Sequence, residues 1–160
     1  MTIVGIDIGS RGALALLDEA GALLAVEDMP AIPEGRQGRL AVNPPLLADL
    51  VRRWRPSRGF VEFVASRPTD APASSFSFGK SRGALEGVLG ACGVPFTWIT
   101  PPTWKRWAGI APGREHKDTA RAAVIARFPA HAHLFKRKLD IDRAEAVLIG
   151  LCGMAREARR

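Results

Sequence analysis

The chain has 160 residues, of which 47% are hydrophobic and 24% are charged, a balance typical of one folded domain with its own core. No apolar run reaches the roughly 18 residues that a membrane span needs, and no secretory signal pattern is present. We therefore expect a single cytoplasmic domain over residues 1–160, without a membrane partner. Cys92 and Cys152 lack the spacing of a metal site and are expected to be buried free thiols.

The net charge of +7 lies entirely in the second part of the chain. Residues 1–103 contain ten basic and ten acidic residues, whereas residues 104–160 contain thirteen basic and six acidic ones. A basic surface confined to one part of a domain is typical of proteins that bind a polyanion such as nucleic acid. The alternative at this point is a solvated basic surface without a partner.

The first predicted elements form a three-stranded meander. Residues 2–9 (TIVGIDIG) are mostly apolar and β-branched, which predicts a strand buried on both faces. A glycine turn over residues 9–12 leads to a second strand at residues 13–18, and another turn leads to a third strand at residues 23–28.

The rest of the chain alternates helices and strands after a segment rich in Pro, Gly and Arg (residues 29–45), which is predicted to be a surface loop. Asn43 is a predicted N-cap and Pro44 a first-turn residue for a helix that ends at Arg55-Pro56. The further predictions are a strand at 59–65, a loop at 66–73, a helix capped by Ser74 or Ser75 and reaching residue 92, a strand at 94–100, a short turn or helix at 101–109, and helices at 117–128 and 142–159. The order βββ–α–β–α–β–α–α predicts one α/β domain with a mixed sheet.

Two acidic residues interrupt apolar strands, and two more stand together at the start of the last helix. A carboxylate inside a buried strand, such as Asp7 or Glu62, is costly unless it is paired or binds a cation. Asp142 and Glu145 are spaced i, i+3 and therefore share one face of their helix. Four carboxylates with few histidines favour Mg²⁺ or Mn²⁺ over zinc. Such a cluster can hold two ions about 3.5–4 Å apart and support in-line phosphodiester hydrolysis.

Each acid also has a purely structural alternative. Asp7 could cap the turn that follows it, and Glu62 could pair with an arginine such as Arg67. Asp142 and Glu145 also have the spacing of a capping box.

The order and spacing of five stretches resemble the RuvC-type Holliday-junction resolvases, nucleases with an RNase H-like fold. The resemblance extends from Ile3 to about Gly153, and the stretches are Ile6-Asp7-Ile8-Gly9-Ser10-Arg11, Val61-Glu62, Phe78-Gly79-Lys80-Ser81-Arg82-Gly83, Pro101-Pro102-Thr103-Trp104-Lys105 and Asp142-Arg143-Ala144-Glu145-Ala146. It implies an α/β, RNase H-like mixed five-stranded sheet, a three-stranded antiparallel meander plus parallel strands, flanked by helices. The compact length and the Pro/Gly loop favour a phage-type member.

The resemblance further implies a crossover junction endodeoxyribonuclease that cuts branched DNA at four-way junctions. The family's catalytic metal ligands, which hold two Mg²⁺ ions per active site with Mn²⁺ as a substitute, fall on Asp7, Glu62, Asp142 and Glu145. Because paired cuts need two active sites, we expect a C2 homodimer. Its interface is expected on the helix at 75–92, whose small residues are Gly79, Gly83, Ala84, Gly87, Gly90 and Ala91.

Two departures from the family pattern leave questions open. The last acid is Glu145 where better-known members have aspartate, and Asp140 offers a competing ligand two residues before Asp142. The family often has an aromatic wedge shortly after its glutamate, where this chain has Ala65. The candidate substitutes are Phe63, Phe76 and Phe78.

Basic and hydroxyl side chains near these motifs are expected to contact DNA phosphates. Lys105 and Lys117 resemble the family's DNA-facing lysines, and Trp104 beside them is expected to be a core residue. The full expected set is Arg11, Ser75, Lys80, Lys105, Arg106, Lys117, Lys136, Arg137 and Lys138. For the run at 136–138 a solvated, non-binding loop is the alternative.

Other functions stay open on the sequence alone. GIDIGS also resembles the phosphate turn of actin-like ATPases, but a second phosphate loop and a second domain have no convincing candidate in 160 residues. We therefore expect no nucleotide cofactor. Relatives of the same fold that act on other branched DNA or on RNA, or that bind nucleic acid without catalysis, are the remaining alternatives.

Overall fold

The computed structural model describes residues 1–34, 38–66, 68–111 and 117–159. In that part of the chain the strands are β1 (Thr2–Asp7), β2 (Ala13–Asp18), β3 (Leu23–Asp28), β4 (Ala31–Glu34), β5 (Arg39–Val42), β6 (Arg58–Glu62) and β7 (Phe96–Ile99). The helices are α1 (Pro44–Trp54), α2 (Pro72–Ala91), α3 (Pro101–Trp107), α4 (Lys117–Arg127) and α5 (Ile141–Glu157), with 3₁₀ turns at Pro129–Phe135 and Lys138–Asp140. No helix within these ranges has both the length and the apolar character that crossing a bilayer requires.

The central sheet has five strands in the order β3-β2-β1-β6-β7. Strands β1, β2 and β3 pair antiparallel as a meander, and β6 and β7 continue the sheet parallel to β1. This topology confirms the predicted mixed five-stranded sheet. Helix α2 connects the parallel neighbours β6 and β7, as a parallel pair requires a crossover.

Both faces of this sheet are covered, which explains why β1 and β2 are apolar except at their ends. Side chains alternate between the two faces along a strand. Val4 and Ile6 of β1 therefore pack on one face with buried residues of α1 and α2. On the other face Phe60 of β6 packs with Trp104 of α3 and with buried residues of α4 and α5. The expectation that residues 1–160 form one domain stays a prediction.

Glycines allow α5 to lie directly against the sheet. A Cβ atom on Gly5 of β1 would come within 2.2 Å of the carbonyl oxygen of Ala146, and one on Gly150 would lie 3.2 Å from the Cα atom of Gly5. A Cβ atom on Gly153 would overlap the ring of Phe60 at 2.1 Å. Because protein interiors are close-packed, these contacts fix the position of α5 on β1 and β6.

The first helix confirms the sequence prediction. Asn43 is the N-cap of α1, and its Oδ1 accepts a hydrogen bond from the backbone N–H of Leu46 at 3.0 Å. Pro44 occupies the first helical position, where its missing N–H costs nothing. The helix ends at Trp54, and Arg55 follows in the left-handed conformation with φ of 48°.

Two predicted boundaries are wrong. The segment at 29–45 is not a loop throughout, because β4 and β5 pair antiparallel as a separate two-stranded sheet and β5 contacts α2. Tertiary contact with α2 supports this hairpin, and local composition does not encode it. Helix α2 begins at Pro72 after Ala71, earlier than the predicted caps Ser74 and Ser75, because proline suits the first helical position.

We expect Gly5→Ala to lower the free energy of unfolding by about 3 kcal/mol, because the new methyl group meets backbone atoms that cannot move aside. Gly87→Ala is the matched control when both variants are compared at a protein concentration that keeps the chain monomeric, since nothing in the same chain lies within 4 Å of a Cβ atom there. Because alanine has a higher helix propensity than glycine, this control variant should be more stable than the wild type by about 0.5–1 kcal/mol. Urea unfolding followed by circular dichroism measures both variants, and equal effects would contradict the close approach of α5 to β1.

Candidate functional site

Two acidic side chains end neighbouring parallel strands. Asp7 is the last residue of β1 and Glu62 the last residue of β6. The register pairs Ile6 with Val61, so the next residues, Asp7 and Glu62, lie side by side at one edge of the sheet. Each is only 7% exposed. Strand alternation turns both toward the face that α5 covers.

Helix α5 brings two further acids to the same place. Asp142 lies in its first turn and Glu145 one turn later, and both are half-buried. One carboxylate oxygen from each of Asp7, Asp142 and Glu145 lies within 4.8 Å of the others. We call these three residues the carboxylate cluster. Glu62 adjoins the cluster, because the ends of β1 and β6 place its carboxylate beside that of Asp7.

The crowded charges alter the protonation of Asp7. Burial raises the pKa of Asp7 well above its ordinary value, and the nearby carboxylates of Glu62, Glu145 and Asp142 raise it further. Without a cation, Asp7 therefore keeps its proton to a higher pH than an exposed aspartate does. A positive charge placed among these oxygens would favour release of that proton.

Glu62 has partners of its own on α3. Trp104 is fully buried and donates its Nε1–H to Oε1 of Glu62 at 2.8 Å. The pKa of Glu62 is raised by burial, while the hydrogen bond from Trp104 and the positive charge of Lys105 oppose that rise. The interpretation of Glu62 as the partner of Arg67 concerns a residue outside the described part of the chain.

The donor set fits a hard divalent cation. All the converging groups are carboxylates, the ligands that Mg²⁺ and Mn²⁺ prefer, and their mutual repulsion is what a bound cation would relieve. Asp7, Asp142 and Glu145 could hold such an ion directly, with Glu62 beside them. Zinc would favour histidine or cysteine, and neither belongs to this cluster.

Asp140 has a structural role that separates it from the cluster. It is 2% exposed and accepts hydrogen bonds from the backbone N of Arg137 at 2.7 Å and from Nη2 of Arg137 at 2.8 Å. Asp140 also occupies the N-cap position of α5, so the capping-box interpretation of Asp142 and Glu145 is wrong. The structure therefore brings Asp142, and not Asp140, to Asp7.

The carboxylate cluster lines an open cleft of about 430 Å³. The glycine turn after β1 forms one wall, and the first turns of α2 form the other through Ser74, Ser77, Phe78 and Ser81. The sequence prediction named Ser75, which is half-buried and does not line this cleft. The serines that line it, Ser74, Ser77 and Ser81, have the helical spacing i, i+3, i+7, and this spacing could have identified them from the sequence.

Several of the basic residues predicted to bind DNA are exposed, and one is half-buried. Arg11 is exposed at the rim of the cleft, and Arg106 is exposed on α3. Lys105 is half-buried with its Nζ 5.2 Å from the centre of the Trp104 ring. Lys136 and Lys138 are exposed in the segment that precedes α5.

Other predicted contacts are engaged within the protein. Lys80 forms a salt bridge with Glu34 of the β4–β5 hairpin. Arg137 binds Asp140, although its side chain remains 59% exposed. Lys117 is the first residue of α4, and its side chain lies outside what the structure describes.

Two half-buried arginines form ion pairs and hydrogen bonds near the start of α5. Arg143 makes a bidentate pair with Asp28 at the end of β3, at 2.6 and 2.8 Å, and donates to the carbonyl oxygen of Leu134 at 3.2 Å. Arg121 of α4 pairs with Asp118 and donates to the carbonyl oxygen of Phe135 at 3.0 Å. Part of the basic second half of the chain is therefore structural rather than available to a polyanion.

Comparison with known proteins identifies the fold. No family model matches the sequence, and no curated protein matches it significantly. Thermus thermophilus RuvC solved in complex with a Holliday junction substrate is similar in structure, with a TM-score of 0.60, 19% identity, and coverage of 99% of this chain and 96% of that chain. A second Thermus thermophilus RuvC structure has a TM-score of 0.59 and 19% identity, covering 99% and 97%. The yeast mitochondrial Holliday junction resolvase has a TM-score of 0.56 and 13% identity, covering 98% and 80%.

These likenesses confirm the predicted fold. The chain has the RNase H-like fold of the RuvC-type resolvases, with the antiparallel meander and the two parallel strands in the expected places. The carboxylate cluster lies at the edge of that sheet where β1 and β6 end.

We expect Asp7→Asn to raise the free energy of unfolding in EDTA at pH 7.5, because asparagine stays neutral where the buried Asp7 carboxyl group must ionise beside other carboxylates. The folded pKa of Asp7 lies above its unfolded value, so the folded state holds more protons and stability falls as pH rises through that interval. Asparagine does not ionise, so the variant avoids this loss of stability. The stability difference between Asp7→Asn and the wild type should therefore shrink as the pH approaches 4.

Urea unfolding at pH 4.5 and pH 7.5 measures this difference. Asp49→Asn is the control, because Asp49 is an exposed carboxylate paired with Arg52 on α1 and should show no such pattern. A lower stability of Asp7→Asn at pH 7.5 would show that the cluster is not electrostatically strained.

Proposed function

We propose that this protein is a divalent-metal-dependent endodeoxyribonuclease that resolves four-way DNA junctions by paired phosphodiester hydrolysis. The observation that carries the proposal is the meeting of Asp7, Asp142 and Glu145 in an open cleft beside Glu62. The solved structure of T. thermophilus RuvC contains a Holliday junction substrate, which supports branched DNA as the substrate class. The single domain and the cytoplasmic location expected from the sequence stay part of this proposal.

The proposed catalytic residues are the four acids. Asp7, Glu62, Asp142 and Glu145 would hold two Mg²⁺ ions, which Mn²⁺ can replace. When bound, such ions supply the positive charge that activates the attacking water and stabilises the leaving 3′ oxygen. The chain contributes fixed geometry, because two acids end paired strands and two lie on a helix held against those strands by backbone contact.

The proposed DNA contacts surround the cleft. Arg11 would meet a strand that enters beside the glycine turn, and Lys105 would neutralise phosphate close to Glu62. Arg106, Lys136 and Lys138 present exposed cations on the same basic half of the chain. Such contacts position the duplex arms and carry no sequence information. The proposed set also keeps Ser75, Lys80, Lys117 and Arg137.

One phenylalanine suits the task of opening the junction better than the other candidates. Phe63 packs edge-to-face on Trp98 at 5.7 Å between ring centres and contacts Arg82, so it is held in place. Phe78 is half-buried in the wall of the cleft. Phe76, on the first turns of α2, is 76% exposed. We assign to Phe76 the role of the aromatic wedge, because its exposed ring can reach a base step without disrupting packing inside the protein.

The proposal includes a C2 homodimer through α2. Gly79, Gly83, Gly87 and Gly90 are exposed, and a Cβ atom on any of them would meet nothing within 4 Å. Glycines in a helix interior weaken the helix, so a run of them on an open face suits a close helix–helix contact. Two symmetric active sites would account for paired cuts in a four-way junction.

We expect the wild-type protein with Mg²⁺ to cut a labelled four-way junction in two opposed strands, and to leave linear duplex uncut. Asp7→Asn and Asp142→Asn should lower the cleavage rate by more than about 100-fold. Loss of a residue that only hydrogen-bonds to a metal ligand typically lowers activity by about 10–100-fold, and loss of a ligand should cost more. Both variants should still bind the junction, because the phosphate contacts are unchanged.

Single-turnover cleavage on denaturing gels and binding by gel shift in EDTA provide the two readouts. Asp49→Asn, an exposed carboxylate on α1, is the matched control and should cleave like the wild type. Three-way junction and branched RNA substrates test the alternative substrates. The proposal is wrong if Asp7→Asn retains cleavage, or if linear duplex is cut as fast as the junction.

A further inference from the structure

Trp104 makes a buried side-chain contact to Glu62, one of the candidate catalytic acids. Its ring is fully buried in the core beneath α5, and its Nε1–H points to Oε1 of Glu62 at 2.8 Å. Glu62 is itself only 7% exposed, so little water competes for this bond. The contact therefore joins the apolar core directly to one oxygen of the site.

Chain topology explains how the indole reaches that oxygen. Strand β7 pairs parallel to β6 with Ile99 opposite Glu62, and α3 begins two residues later at Pro101. The first turn of α3 brings Trp104 back over the end of β6. The backbone N–H of Phe63 also donates to the carbonyl oxygen of Ile99 at 2.8 Å, which ties the strand ends together.

The chemistry of the indole makes this bond directional. Its Nε1–H is a donor only, and a buried Trp N–H requires an acceptor. An ionised carboxylate has about four acceptor positions, so Trp104 occupies one and leaves the others for further partners. Where a carboxylate ligates a metal, outer hydrogen-bond partners of this kind fix its orientation.

We propose that Trp104 is a positioning residue, whose indole N–H holds the Glu62 carboxylate in the orientation that binds a divalent cation. This inference rests on the proposed role of Glu62 as a metal ligand. It assigns Trp104 a part in the site, whereas the sequence predicted a core residue only.

Trp104→Phe removes the donor and keeps an aromatic ring in the core. We expect it to weaken Mn²⁺ binding by about 10–100-fold and to lower kcat for junction cleavage to a similar extent, with KM for the junction changed less than about twofold. Free Mn²⁺ measured by electron paramagnetic resonance gives the affinity without any cleavage. Trp107→Phe is the matched control, because Trp107 lies on the same helix and packs against the same core.

A purely structural role would produce a different pattern. Both Trp→Phe variants would then lose stability while binding Mn²⁺ like the wild type, and that result would overturn the proposal. Trp104→3-benzothienylalanine, which keeps the ring size but has sulfur in place of the N–H, repeats the test if phenylalanine impairs folding. In a Glu62→Gln background the Trp104→Phe change should have little further effect on Mn²⁺ affinity.

The two hypotheses can fail separately. If the wild type binds Mn²⁺ in a Trp104-dependent manner but cuts no junction, the proposed function fails and the positioning role stands. If the wild type cuts junctions and Trp104→Phe matches Trp107→Phe in both readouts, the positioning role fails and the function stands. A wild type that binds no Mn²⁺ overturns both.

Discussion

The backbone contact between α5 and β1 is the constraint on which the site depends. With glycine at positions 5 and 150, the helix approaches the central strand more closely than any side chain would permit. The strand ends at Asp7 and the helix begins just before Asp142, so their relative placement is decided by two rigid elements rather than by loops. Sites built on such elements hold their geometry within the narrow limits that catalysis needs.

This rigidity has an electrostatic consequence. Carboxylates that could separate in a flexible loop are instead held together against their mutual repulsion. The pKa of Asp7 is raised as a result, first by burial and then by its neighbouring carboxylates. A bound divalent cation would relieve this repulsion, and the relief would contribute to its binding free energy. The surrounding ion pairs, such as Arg143 with Asp28, then stabilise the start of α5 without entering the cluster.

Local sequence signals predicted much of this architecture. The apolar strands, the lone acids Asp7 and Glu62, and the i, i+3 pair on the last helix all depend on short-range patterns, and the structure brings those acids together. The β4–β5 hairpin, the serines that line the cleft and the bond from Trp104 to Glu62 depend on contacts between distant segments. The number of basic residues also does not distinguish arginines that pair with buried carboxylates, such as Arg137, from cations that are available to bind phosphate.

The proposed function depends on a divalent cation bound by carboxylate oxygens at the end of β1 and the start of α5. The most direct measurement is anomalous diffraction from crystals of the protein grown with Mn²⁺. We expect a strong anomalous peak about 2.1 Å from carboxylate oxygens of Asp7, Asp142 and Glu145, and crystals of Asp7→Asn should lack this peak or show it at reduced occupancy. Peaks confined to surface acids such as Asp118, with none among these three side chains, would contradict it.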